Sequence, residues 1–176
     1  NKLINSFMQN EFIPMTRRYP NLRQKVLLRD SKIVQKMMAA WDQKHDEQLL
    51  LSIYLNENKN LSDERYWELL RAVWILCGKL ENIGIFKLLF QSKRSQRHYF
   101  STPEEAKEFR EMPEFLKIYR ACNEYNDGGI SWTTSFEYAE KYKQMFNKKM
   151  ILEATIEKSR VFAYINRNAE FEVIVF

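Results

Sequence analysis

Over the first hundred residues the apolar positions recur every three or four, and over the last sixty they tend to alternate. Leu3, Ile4, Phe7, Met8 and Phe12 form one stripe of a short amphipathic helix, followed by punctuation at Pro14 and Pro20. From Asn21 to about Asn56 the helical pattern continues through Val26, Ile33, Met37, Trp41, Leu50 and Ile53. A polar loop, NENKN, occupies 56–60. Ser62 then reads as an N-cap, with Asp63 and Glu64 in the first turn where the helix dipole favours carboxylates. The helix it opens carries Trp67, Leu70, Val73, Trp74 and Cys77 inward and stops at Gly78. A further apolar helix covers Ile83 to Phe90. Thr102-Pro103-Glu104-Glu105 is a capping box with proline at the first helical position, and Pro113 bounds that helix. Beyond Pro113 the spacing predicts a strand ending at Arg120, a turn at Asn126-Asp127-Gly128-Gly129, and a Ser131-Trp132-Thr133 strand. A helix from Phe136 to Phe146 follows, then strands at 150–157, 161–165 and 172–176.

This order predicts an α+β protein, with a helical region over 1–112 followed by a small sheet-rich core over 113–176. Charge divides along similar lines. Residues 1–100 hold 17 Lys+Arg against 10 Asp+Glu, whereas 101–176 hold 11 against 13, so the overall +5 belongs to the N-terminal part. A basic helical region fits an anionic partner, either nucleic acid or an acidic protein. Within it QSKRSQRHYF, with Lys93, Arg94 and Arg97 beside Tyr99 and Phe100, reads either as a solvated loop or as a phosphate-contacting patch. Two cysteines and two histidines lack metal-ligand spacing, so no metal is expected. Reduced, buried thiols and the lack of any apolar run long enough to span a bilayer point to a cytoplasmic protein with no membrane partner. The chain begins at Asn1 without methionine and stops four residues after Glu172, so further residues, including a closing strand, are expected at its ends.

Three features stand out in order in the last third: Arg120 on an apolar strand, Ser131 and Thr133 on the next, and Glu170-Phe171-Glu172 entering the last. Singly, each is ordinary: a capping arginine, a common β-sequence, a solvated strand face. Their order, followed by the apolar run Val173-Ile174-Val175, resembles the arginine–serine–glutamate class of mono-ADP-ribosyltransferases, enzymes that split NAD and pass ADP-ribose to a macromolecule. Neither a Gly-rich dinucleotide fingerprint nor a usable histidine for the histidine–tyrosine–glutamate class is present.

The resemblance implies NAD as co-substrate and a role for each residue. Glu172 would be the catalytic carboxylate, Glu170 the loop carboxylate that engages the acceptor, and Arg120 the anchor for the NAD phosphates and ribose. Ser131, Trp132 and Thr133 would stand for the family's serine–threonine–serine strand on the cofactor side. Tyr164 and Phe171 are candidate stacking partners for nicotinamide or acceptor, and Lys93, Arg94 and Arg97 candidate acceptor contacts. The chemistry wants these types. Cleaving the bond between nicotinamide and ribose builds positive charge on the sugar, which a fixed carboxylate stabilises. A pyrophosphate favours an arginine fork over a lysine point charge. The acceptor expected is RNA or DNA, with RNA favoured, and protein arginine is the alternative; a catalytically inactive partner-binding module is a third reading. Small transferases of this kind resemble toxins of toxin–antitoxin and phage-defence systems, which would add an antitoxin or chaperone as partner.

Overall fold

The computed structural model of the chain describes residues 24–124 and 128–176, and only the backbone at 43 and 44. The stripe over 1–13, the prolines at 14 and 20, and Asn126 and Asp127 of the expected turn lie outside these residues. The described residues form two compact units: one holds 24–78 with Lys93–Phe100, the other Lys79–Ser92 with the described residues from Ser101 to Phe176.

The first unit is helical. Its run through 56 is not one helix but two, α1 (Gln24–Lys44) and α2 (Glu47–Glu57). His45 turns to a φ of 47°, and the Asp46 carboxylate accepts the Leu49 N–H at 2.9 Å, so a side-chain cap breaks a pattern that hydrophobic spacing leaves continuous. The third helix, α3 (Asp63–Cys77), is buried almost all round, with Trp67, Leu70 and Val73 fully enclosed. Ser62 caps it as expected, its Oγ accepting from Arg65 N–H at 3.3 Å and donating at 2.5 Å to the enclosed carboxylate of Asp30. A Cβ at Gly78 would run into the Trp74 carbonyl, so the helix ends on a residue with no side chain.

The second unit contains a five-stranded antiparallel sheet in the order β3-β1-β2-β5-β4, from β1 (Phe115–Cys122), β2 (Ser131–Thr133), β3 (Met150–Glu157), β4 (Ala163–Ile165) and β5 (Glu172–Ile174). The last two are shorter than the alternation predicts. Ladder-like bonds nevertheless continue past them, from Phe162 N–H to Ile174 O at 2.8 Å and from Val175 N–H to Ile130 O at 2.9 Å. β1 runs on through Cys122, paired with β3 along its whole length, so Arg120 lies within the strand and not at its end. One face of the sheet packs Leu116, Ile118, Tyr164 and Val173 together with Val161, Phe109 and Trp132.

Three helices belong to this unit: α4 (Ile83–Phe90), α5 (Pro103–Glu111) and α6 (Phe136–Met145). The capping box of α5 forms as the sequence reads, Thr102 Oγ1 accepting from Glu105 N–H at 3.2 Å and Glu105 accepting from Thr102 N–H at 2.8 Å. The same buried carboxylate accepts Asn166 N–H at 2.9 Å, which ties α5 to the loop after β4. Phe90 of α4 stacks on Phe162 and Phe176, with centroids 4.5 and 5.9 Å away. These contacts move the division of the chain forward from 112/113, since α4 and α5 complete the sheet's core. The protein is α+β, helices first and a small antiparallel sheet after. Both cysteines are buried free thiols, and among the described residues no helix is long and apolar enough to cross a membrane.

Candidate functional site

The short strands β2 and β5 create the site by register. Thr133 lies opposite Glu172, and side chains two apart on a strand share a face, so Ser131, Thr133 and Glu172 stand on one side of the sheet. Ser131 Oγ donates to Glu172 Oε1 at 2.5 Å. That bond fixes one carboxylate oxygen. Thr133 serves the neighbouring loop: its Oγ1 donates to the Glu170 carbonyl at 2.7 Å and accepts Ser135 N–H at 3.0 Å.

The turn before β5 is wound tightly. Asn168, Ala169 and Phe171 take φ values of 53°, 58° and 48°, left-handed conformations that cost a non-glycine residue about 1 kcal/mol each. Glu170 N–H donates to Arg167 O at 3.0 Å, and Thr134 N–H to Phe171 O at 3.0 Å. Across the turn Arg167 Nη2 lies 3.3 and 3.5 Å from the two oxygens of Glu170. A strained segment clamped at several points is how a fold holds one carboxylate in a set position.

Arg120 enters from β1, whose pairing with β2 is limited to Tyr119 opposite Thr133. Its guanidinium lies on the Cα of Gly129, in the space any Cβ there would occupy. Opposite stands α6, started by Ser135, whose Oγ accepts Tyr138 N–H at 3.1 Å. Burial is the main reason the Tyr142 phenol is held above its ordinary range; Arg120 pulls it back, and Glu170 and Glu172 push it up further. Tyr138 is pushed up to about 12 by burial first and then by Glu170, Tyr142 and Glu172. Both phenols therefore stay neutral hydrogen-bond donors at physiological pH.

The structure thus brings together Ser131, Thr133, Glu170 and Glu172 from the residues the sequence singles out; Arg120, next to the Tyr119 that lies opposite Thr133, starts from the other face of β1 and is tied to the group through its charge at Tyr142. It separates the others. Trp132 and Tyr164 both lie opposite Val173 in the sheet, on the face turned away from Glu172, and both pack in the apolar core. Tyr164 is buried, with its hydroxyl donating to Glu108 at 3.0 Å, and burial raises its pKa further than that bond does. Phe171 packs against the same core. None of these three rings is placed to stack on a ligand at Glu172. Strand alternation was the available signal, since residues adjacent to Ser131 and Glu172 must face the other way.

Lys93, Arg94 and Arg97 belong to the helical unit. Arg94 is committed there: it donates to the carbonyls of Leu61, Asn58 and Lys59, pairs with Asp63 at 3.0 Å and lies 4.8 Å from the Tyr66 ring centre. Three participants escaped the sequence reading, namely Arg167, Tyr138 and Tyr142. The two tyrosines were legible only as members of a helix, four residues apart and hence neighbours on one face. Among the described residues no group of three or more His, Cys, Asp or Glu side chains could hold a metal ion.

A carboxylate held by a hydroxyl, a second carboxylate on a braced turn and an arginine fork can bind a phosphorylated sugar and stabilise positive charge on it. No protein-family model, no curated protein and no solved structure matches this chain.

Proposed function

We propose that the sheet unit is an NAD-dependent mono-ADP-ribosyltransferase of the arginine–serine–glutamate class, acting on a macromolecular acceptor with nucleic acid, RNA above all, favoured. The observation that carries this reading is the 2.5 Å bond from Ser131 to Glu172, with Glu170 two residues away and Arg120 against Gly129. In support, Ser131 bonds Glu172, and Arg120, Glu170 and Glu172 all act on the phenol of Tyr142.

Each group has a task. Arg120 offers paired N–H donors to the pyrophosphate, and glycine at 129 leaves the space its guanidinium needs. Ser131 holds Glu172 so that its carboxylate faces the ribose. When the bond between ribose C1′ and the nicotinamide nitrogen breaks, its electron pair leaves with nicotinamide, which becomes neutral. Glu172 stabilises the positive charge left on the sugar. Glu170, held by Arg167 and the strained turn, accepts the proton that the acceptor nucleophile loses as it bonds to C1′. Tyr138 and Tyr142 close the side of α6 as neutral donors. The basic helical unit, where most of the positive charge resides, supplies affinity for a phosphate backbone or for an acidic partner such as an antitoxin.

The test is incubation with labelled NAD, total RNA and cell-lysate protein, following both nicotinamide release and acceptor labelling. Wild type should release nicotinamide and label RNA, and Glu172→Gln should lose about a hundredfold or more of the release rate. Undiminished release by Glu172→Gln, or none from folded wild type, would sink the reading.

A further inference from the structure

Tyr138 and Tyr142, used above only as neutral donors, are part of a longer aromatic feature on the surface of α6. Tyr138, Tyr142 and Phe146 follow one another at four-residue intervals, with ring centroids 6.2 and 4.4 Å apart. Such spacing lays three rings in a strip along one helix face. The strip starts half-buried beside the carboxylates and ends in solvent, where Phe146 is 52% and the adjacent Met145 64% exposed. Single exposed apolar residues need no explanation, but a run of them on one short helix does.

Along the chain the strip lies in a lysine-rich stretch, while Glu170 and Glu172 face its Tyr138 end. Residues 136–149 hold 4 lysines against 2 glutamates, while the rest of 101–176 holds 7 Lys+Arg against 11 Asp+Glu. Lys141, Lys148 and Lys149 lie close to the strip along the chain. Lys141 is exposed on the helix between Tyr138 and Tyr142 in sequence. At the end of α6, Asn147 takes a φ of 49° and Lys148 N–H donates to Lys143 O at 2.9 Å, folding the chain back so that Lys148 and Lys149 follow the last turn closely. Rings that stack on any base, bordered by cations that meet its phosphates, are the two ingredients of single-strand recognition. An apolar protein partner would want the rings but not the lysines.

We infer that the Tyr138–Tyr142–Phe146 strip, bordered by Lys141, Lys148 and Lys149, is a binding platform for unpaired bases of a single-stranded nucleic acid acceptor. It rests on the transferase reading and sharpens it. Bases stacked outward on Phe146 and Tyr142 bring the next nucleotide to Tyr138, whose phenol senses Glu170 and Glu172. A duplex, its bases already paired and stacked, gains only the lysine contacts.

The experiment measures binding of the full chain, without NAD, to a labelled single-stranded RNA oligonucleotide, its DNA counterpart and the RNA duplex. Wild type should prefer the single strands. Tyr142→Ala with Phe146→Ala should weaken single-strand binding about tenfold or more, while Tyr142→Phe with Phe146→Tyr should keep it. Lys141→Gln should flatten the salt dependence. Phe146 is exposed and Tyr142 only partly covered, so melting temperatures, measured for every variant, should fall by a few degrees at most. Equal affinity for single strand and duplex, or single-strand affinity indifferent to loss of both rings, overturns the platform. So does recognition confined to a protein partner. Because binding is read without NAD, failure of the platform is separate from failure of the transferase reading, which nicotinamide release reports.

Discussion

Gly129 shows how much of the site depends on an atom that is missing. A Cβ at this position would occupy the space now filled by the Arg120 guanidinium. The clash would fall on the far end of a flexible side chain, so Gly129→Ala should cost the fold little, within about 0.5 kcal/mol. The displaced guanidinium could no longer present its paired donors to the pyrophosphate. The expected outcome is a KM for NAD raised about tenfold or more with kcat changed much less, the signature of lost ground-state binding. An unchanged KM in steady-state nicotinamide release would remove Arg120 from its assigned role. Ser131 differs, since it touches the catalytic carboxylate and not the phosphates. Ser131→Ala should lower kcat, by about tenfold for a hydrogen bond to a charged group, and leave KM nearly alone.

At the level of elements, the turn before β5 separates two functions that the Glu170-Phe171-Glu172 spacing joins. Glu172 is fixed by β5 and Ser131, whereas Glu170 depends on Arg167 and on a backbone held in left-handed conformations. Arg167→Ala should therefore loosen Glu170 without moving Glu172. Nicotinamide release into water should persist while acceptor labelling falls, and the ratio of the two, measured in one reaction, should shift at least severalfold toward hydrolysis. Equal loss of both would make Arg167 a general support of the fold. The helices and their caps were legible because their signals are local: Ser62 and Thr102 sit where side-chain oxygens meet free N–H groups, and both caps form. The helical period also found α3 and α4. The break at Asp46 was missed because apolar spacing runs through it while the cap acts on the backbone. Arg167 was missed because its partner is set by turn geometry, and Tyr138 and Tyr142 because an aromatic helix face reads the same whether it meets a core or a cleft. Trp132 and Tyr164 were drawn in by their chemistry although alternation turns them into the core, and Phe171 packs against that core from the turn.

For the whole chain the consequence lies in where it can be cut. Sequence texture changes at Pro113, which invites a fragment beginning there. That fragment would lack α5, and with it the Glu105 carboxylate bound to Asn166 N–H and the Glu108 carboxylate bound to the Tyr164 hydroxyl. It would also lack α4, leaving Phe162 and Phe176 without Phe90, a ring now 3% exposed. Deleting one buried Phe side chain costs about 3–5 kcal/mol, and a small domain has about 5–15 kcal/mol in all. Residues 113–176 alone should therefore fail to fold cooperatively. A fragment beginning at Lys79 keeps α4, α5 and the sheet, with 93–100 reduced to a connecting loop. It should melt as a folded unit by circular dichroism and, on the transferase reading, release nicotinamide while binding nucleic acid less tightly, since most of the basic surplus is gone. If 113–176 folds and turns over NAD as well as 79–176 does, the helices are dispensable and the division read from sequence is the right one. If neither fragment folds, the sheet unit depends on residues before Lys79.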